Sequence, residues 1–262
     1  MSMAGLPASP ADFGPAALAA VVVAGYLVVG EPMIGHVLHR RFEGRLGSDP
    51  RARRSFYRRL LVLEWGLALL ALIVWLSAPG VDAGQVGLRW PQEWPGPLTG
   101  LVILLVLGFV VVSTRALRSG ALLEPADPVR RPGEGRHAEP AASATLAVLP
   151  RTAGERRLFT LVGVTAGVCE EWLYRGFFLA VVAAVAGGLP DGALVLVAAV
   201  AFGLAHAYQG RVGIITTGVL GGVMAAVYLQ TGSLLLPVLL HAVIDLRFLL
   251  VPARALPAGR TA

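Results

Sequence analysis

Glu170 and Glu171 are adjacent carboxylates, and Arg175 is a guanidinium, inside a run that is otherwise apolar from Leu158 to Ala186. Charge at the depth of a membrane helix costs ~2.5 kcal/mol or more per group, so it is rare and usually functional. On a helix, Glu171 and Arg175 lie four apart on one face and can pair. Glu170 is rotated about 100° from Glu171 and stays free to face something else. Two later stretches offer partners. Phe202-Gly-Leu-Ala-His206 puts a histidine one turn after an aromatic ring, and His241-Ala-Val-Ile-Asp245 puts an imidazole and a carboxylate four apart. Hydrocarbon solvates none of these groups, so the cheapest arrangement turns them toward one another. A carboxylate and an imidazole converging on one water make a general base. Glu170, His206 and His241 are equally a zinc-type ligand set, with a fourth position left for water. A second histidine with an acidic partner suits a developing oxyanion or a leaving amine. These are the parts of an amide hydrolase, with or without a metal.

The elements that carry them are expected to be membrane helices. The chain of 262 residues is 56% apolar and 15% charged, with a mean hydropathy of +0.70. A soluble domain carries about 25% charge. Seven runs approach the ~20 residues that cross a bilayer as a helix: 15–38, 60–78, 98–117, 158–186, 192–208, 212–229 and 233–251. The expected fold is therefore an all-α polytopic membrane bundle, with the catalytic core in the last four spans. The chain divides into a three-span part at 1–118, a cytoplasmic linker at 119–157, a four-span core at 158–252 and a tail at 253–262. Residues 119–150 are rich in Pro, Ala, Gly and Arg without apolar periodicity and read as flexible. Residues 1–13 lack the positive stretch that opens a secretory signal.

Every basic residue is an arginine, and the net charge is +6. In a seven-span count all the arginines except Arg89 and the intrahelical Arg175 fall on one side. The positive-inside rule puts that side in the cytoplasm, with the N-terminus outside. The expected location is a bacterial plasma membrane. A basic membrane protein favours anionic lipid over nucleic acid as a partner. By helix rise, His206 lies ~8 Å and His241 ~9 Å from the cytoplasmic boundary, but Glu170 lies ~20 Å from Arg157 unless its helix is tilted or long.

Other polar residues have blander readings. Cys169 is alone, so no intrachain disulfide forms, and a small residue at a tight contact is the ordinary role. Gly218-x-x-x-Gly222 and its neighbours suit close helix packing. Glu64 is read as reaching the interface or pairing with Arg58 or Arg59, and Pro32 as a kink. Glu31 is deeper and a candidate for substrate entry. His39 and His137 are read as solvated loop residues.

Glu-Glu-x-x-x-Arg at 170–175, Phe-x-x-x-His at 202–206 and His-x-x-x-Asp at 241–245, on successive spans, resemble the CPBP family of intramembrane proteases. These are the CAAX prenyl endopeptidase and bacteriocin-processing (Abi) enzymes, and the likeness covers about residues 158–250. It implies that Glu170 and His206 activate the attacking water. It also implies that His241 and the position of Asp245 support the oxyanion, while Glu171 and Arg175 brace the site. Some members carry Asn at the last position. An ionised Asp245 is a poor donor to an oxyanion, so its expected task is to orient His241. The family is described as metalloproteases, which implies Zn2+ or another divalent ion on Glu170, His206 and His241, although the same residues can act without metal. The expected function is endopeptidase cleavage of a protein or peptide near the cytoplasmic face. The alternatives are a proton-coupled transporter or relay using the same cluster, and a catalytically silent immunity or scaffold member.

Overall fold

The structure is a computed structural model that describes residues 5–119, 145–252 and 256. It is all-helical, with no strand among the described residues. The elements are α1 (Ala17–Arg45), α2 (Ala52–Leu76), α3 (Pro97–Ser119), α4 (Ala153–Glu171), a π-helical turn (Trp172–Phe178), α5 (Leu179–Ala186), α6 (Asp191–Ala205), α7 (Gly210–Thr231) and α8 (Leu235–Leu246). Short 3-10 turns precede α1 and follow α6 and α8. Each of the seven expected spans falls on one of these helical runs. Four of them, at 10–45, 52–76, 97–119 and 207–231, are long and apolar enough to cross a membrane by themselves. The protein is a polytopic helical bundle.

The central run is α4, the π turn and α5. Thr152 and Glu155 start it as a reciprocal cap: Thr152 Oγ1 accepts from Glu155 N (3.2 Å) and Glu155 Oε2 from Thr152 N (3.0 Å). From Glu171 to Val181 every residue is buried. A helix covered on all sides is a core helix, and here its neighbours are α1, α2, α6, α7 and α8. One apolar core joins Leu27 of α1 and Ala71 of α2 to Leu173, Leu179, Ala198 and Tyr228. The N-terminal spans and the last four are thus packed around the same central helix.

Glycines set the closest approaches. A Cβ on Gly167 of α4 would lie 3.1 Å from Ala242 N and Val238 O, and one on Gly163 would lie 3.2 Å from a Leu246 methyl. Gly163 and Gly167 therefore seat α8 against α4. On α7, a Cβ at Gly218 would lie 3.1 Å from Ala199 O and one at Gly221 2.9 Å from Phe202. That agrees with the packing role expected for these small residues. At the opposite end Arg89 Nε donates to Gly232 O (3.0 Å) and Ser233 Oγ to Arg89 O (2.5 Å), which ties the α2–α3 loop to the turn between α7 and α8.

Two expectations change here. Residues 145–150, read as the end of a flexible linker, are packed: residues 145–148 form a helical turn and Leu149 is buried. Tyr57 Oη donates to Val148 O, and Arg53 Nε to Ala147 O (3.0 Å). The cause is the apolar run Leu146-Ala-Val-Leu149, which follows the Pro- and Arg-rich stretch. Residues 120–144 lie outside the described residues, as do His137 and most of the tail. His39 is not a solvated loop residue. α1 continues to Arg45, which places His39 on a helix face at 3% exposure among Phe42, Phe56 and Tyr208.

Candidate active site

Glu171 and Arg175 are both fully buried, and Arg175 Nη1 donates to Glu171 Oε1 at 3.0 Å. The spacing of four was sufficient to expect this pair. Nη2 of Arg175 donates to Gly221 O (3.0 Å), and the guanidinium lies over the Phe202 ring, 4.3 Å from its centroid. Gly221 can present that carbonyl because Phe202 packs directly on it. The arginine sits in the π-helical turn, a wide-turn geometry found often at functional sites. A buried ion pair loses ~3–5 kcal/mol when one partner is removed, because the other charge is then stranded.

The same oxygen of Glu171 accepts from His241 Nδ1 at 2.7 Å. An ionised carboxylate only accepts, so the proton of this bond belongs to Nδ1. The ring is thereby fixed, with Nε2 turned away from Glu171. Nε2 is 3.9 Å from Glu170 Oε2 and 3.9 Å from Asp245 Oδ2. Neither distance is a direct hydrogen bond. Glu171, not Asp245, orients His241, which corrects the expectation for Asp245. The close approach of α4 and α8 at Gly167 and Gly163 makes the Glu171–His241 bond possible. It also brings Glu170 and His241 to one depth.

His206 ends α6, and its Nδ1 bonds Phe202 O at 2.9 Å. A carbonyl only accepts, so Nδ1 again carries the proton and Nε2 is left with its lone pair. The ring is held between Phe202 and Tyr208, at centroid distances of 4.7 and 5.9 Å. Glu170, His206, His241 and Asp245 all line one cavity of about 270 Å³. A single water needs only ~10–15 Å³ by such a measure, so the space is ample for water. Glu170 Oε2 lies in the interior with no hydrogen-bond partner among the described residues. Its neighbour Glu171 is sealed and committed. Oε2 of Glu171 likewise has no partner among the described residues, so the two carboxylates differ in that Glu170 lines the cavity and Glu171 is bonded through Oε1.

Among the described residues, no three His, Cys, Asp or Glu side chains stand close enough together to hold a metal ion. The donor atoms of Glu170, His206 and His241 do not form a ligand set as placed, and no step below is routed through a metal. Cys169 is a free, buried thiol packed in the apolar core.

The cavity has a second wall that the sequence reading largely missed. Glu31 of α1 and Glu64 of α2 line it opposite α4 and α8. Tyr174 Oη lies 3.2 Å from Glu31 Oε2 and 3.3 Å from Leu27 O, which links α1 to the π turn. Glu64 Oε2 is buried without a hydrogen-bond partner among the described residues, so Glu64 pairs with neither Arg58 nor Arg59. The signal was available: Arg58 and Arg59 are six and five residues away, off the helical spacing of three or four. The neighbours at helical spacing are Leu60, Leu61, Leu67 and Ala68.

Residues 153–247 match the family model described as Rce1-like, type II CAAX prenyl endopeptidase. Neither the curated proteins nor the solved structures yield a match to the chain. The matched range contains Glu170, Glu171, Arg175, His206, His241 and Asp245, and stops short of Glu31 and Glu64. Over residues 153–247 the chain is thus similar to the Rce1-like, type II CAAX prenyl endopeptidases, in keeping with the CPBP resemblance of its three motifs.

Proposed function

We propose that the protein is an intramembrane endopeptidase in which Glu170 is the base that activates water. The observation that carries this reading is the contrast between the two glutamates: Glu171 is fully buried, with Oε1 taken by Arg175 and His241, while Glu170 lines the cavity and has no hydrogen bond to a described side chain at Oε2. The attacking water sits in the cavity that the Glu170 carboxylate shares with His241, with His206 Nε2 as a second acceptor. Glu170 takes one proton from this water as its oxygen attacks the peptide carbonyl. The carbonyl oxygen becomes the oxyanion. His241, as an imidazolium backed by Glu171, donates to it from Nε2. Collapse of the tetrahedral intermediate breaks the C–N bond, and the proton held by Glu170 passes to the leaving nitrogen. The products are a carboxylate and an amine.

The substrate is a protein or peptide, and the family description makes CAAX-type processing of a C-terminal tail the first class to test. The arginine distribution supports a site nearer the cytoplasmic face of a bacterial plasma membrane, with the N-terminus outside. A second reading is favoured by one observation: Glu31 and Glu64 reach the cavity, so carboxylates from four helices face it, as in a proton relay.

One experiment separates the two. The full chain is reconstituted in proteoliposomes with a library of C-terminal peptides, and products are read by mass spectrometry beside a pH-sensitive dye. The protease reading predicts new C-termini with the wild type and none with Glu170→Gln. Proton flux that depends on Glu170, without any cleavage, would replace it with the relay.

A further inference from the structure

A groove of about 990 Å³ opens between the C-terminal end of α1 and the N-terminal half of α2. Its polar rim is made of Arg45, Arg51, Arg54, Arg58 and Arg59, and its apolar floor of Leu38, Val62 and Leu63. Among the described residues the one acid lining it is Asp49. That carboxylate is already committed: Asp49 Oδ2 accepts from Arg45 Nη2 at 2.5 Å and Oδ1 from Arg51 N at 2.8 Å. These contacts, the Arg51 N–H first, hold its carboxyl below the usual carboxylate range. Other arginines at this end of the bundle are tied to the fold. Arg53 donates to Ala147 O, Arg156 to Leu249 O and Arg247 to Ile244 O. Arg54, Arg58 and Arg59 have no hydrogen bond or ion pair among the described residues.

We infer that this groove binds an anionic phospholipid, its phosphate held by Arg54, Arg58 and Arg59 and an acyl chain lying along Val62 and Leu63. Three guanidiniums unpaired among the described residues offer forked donors that match phosphate oxygens. Arg58 and Val62, and likewise Arg59 and Leu63, are four residues apart, so each guanidinium is followed ~6 Å along α2 by an apolar side chain. Val62 is 72% exposed and Leu63 46%. That sequence of charge then hydrocarbon along one helix face is the profile of a lipid from headgroup to chain, and a soluble anion would use only its first part. Leu38 and Leu63 also line the site cavity, so the bound chain lies against its side wall. The inference does not depend on the protease reading.

The test uses the delipidated full chain in detergent and native mass spectrometry, with thermal midpoints as a second readout. Phosphatidylglycerol, phosphatidylcholine with the same chains, and inorganic phosphate are each titrated. Phosphatidylglycerol is expected to bind roughly a hundredfold more tightly than phosphatidylcholine, each arginine contributing a factor of about five. Arg54→Gln/Arg58→Gln/Arg59→Gln should reduce that ratio to near one, and the matching triple Lys variant should keep most of it. All three side chains lie at the surface of the groove, and the midpoint of the lipid-free Gln variant checks that it folds. Equal binding of the two lipids, or a ratio unchanged in the Gln variant, would overturn the assignment. So would an equal stabilisation by inorganic phosphate, which would make the groove a free-anion site, or displacement of the lipid by an acidic peptide, which would make it a protein-docking site.

Discussion

On the α4–α8 wall of the cavity, one oxygen of Glu171 is shared by Arg175 and His241, while on the α1–α2 wall an oxygen of Glu64 is buried with no partner among the described residues. On the first wall, inside the family match, Glu171 is paired. On the second, outside it, Glu31 accepts from Tyr174 Oη, while Glu64 Oε2 has no partner among the described residues. Neutralising Glu171 and neutralising Glu64 should therefore have opposite consequences. At Glu171 it strands a buried charge. At Glu64 it removes a charge that no described group satisfies.

The largest effect on folding is expected from Arg175→Met. It leaves Glu171 with His241 alone, frees Gly221 O and empties the space over Phe202. A loss of ~3–5 kcal/mol is expected, seen as a sharp fall in folded yield and thermal midpoint in detergent. A midpoint equal to wild type would mean that the pair contributes nothing to the wall. Next is Gly167→Val. Its Cβ would already press on the backbone of α8 at 3.1 Å, so a loss of ~1–3 kcal/mol is expected from overpacking. Cleavage should fall more than stability, because the Glu171–His241 bond depends on that approach. Equal losses in both would limit Gly167 to packing. The smallest effect on stability belongs to Glu64→Gln, which keeps the shape and removes the charge. Its thermal midpoint should match or exceed that of the wild type, with cleavage retained. A drop like that of Arg175→Met would show that Glu64 is bonded and that the two walls are alike.

Much of this arrangement is legible in the sequence for local reasons. Apolar runs mark the helices, and a spacing of four pairs Glu171 with Arg175. Contacts between helices are less accessible. The bond from Glu171 to His241 joins residues seventy positions apart. It depends on Gly163-x-x-x-Gly167, a small-residue spacing like the one on α7 that was read as packing. The π turn at 172–178 has no compositional mark, since its residues are ordinary apolar ones around Arg175. His39 was misplaced because Arg40 and Arg41 make its surroundings look solvated, although Phe42 and Phe56 cover it. Glu64 was misread because nearness in sequence to Arg58 and Arg59 was taken for nearness on a helix face.

The central claim is that adjacent carboxylates have divided tasks, Glu170 for chemistry and Glu171 for structure. Glu170→Gln and Glu171→Gln, purified side by side, test it with two readouts: the cleavage rate of one reconstituted peptide and the thermal midpoint. Glu170→Gln should lose ~10²–10⁴-fold in rate, the usual contribution of a positioned base, with a midpoint close to that of the wild type. Glu171→Gln should lower the midpoint by an amount equivalent to ~3–5 kcal/mol, because Arg175 is left buried and unpaired. Full cleavage by Glu170→Gln, or a midpoint of Glu171→Gln equal to that of the wild type, would contradict the account.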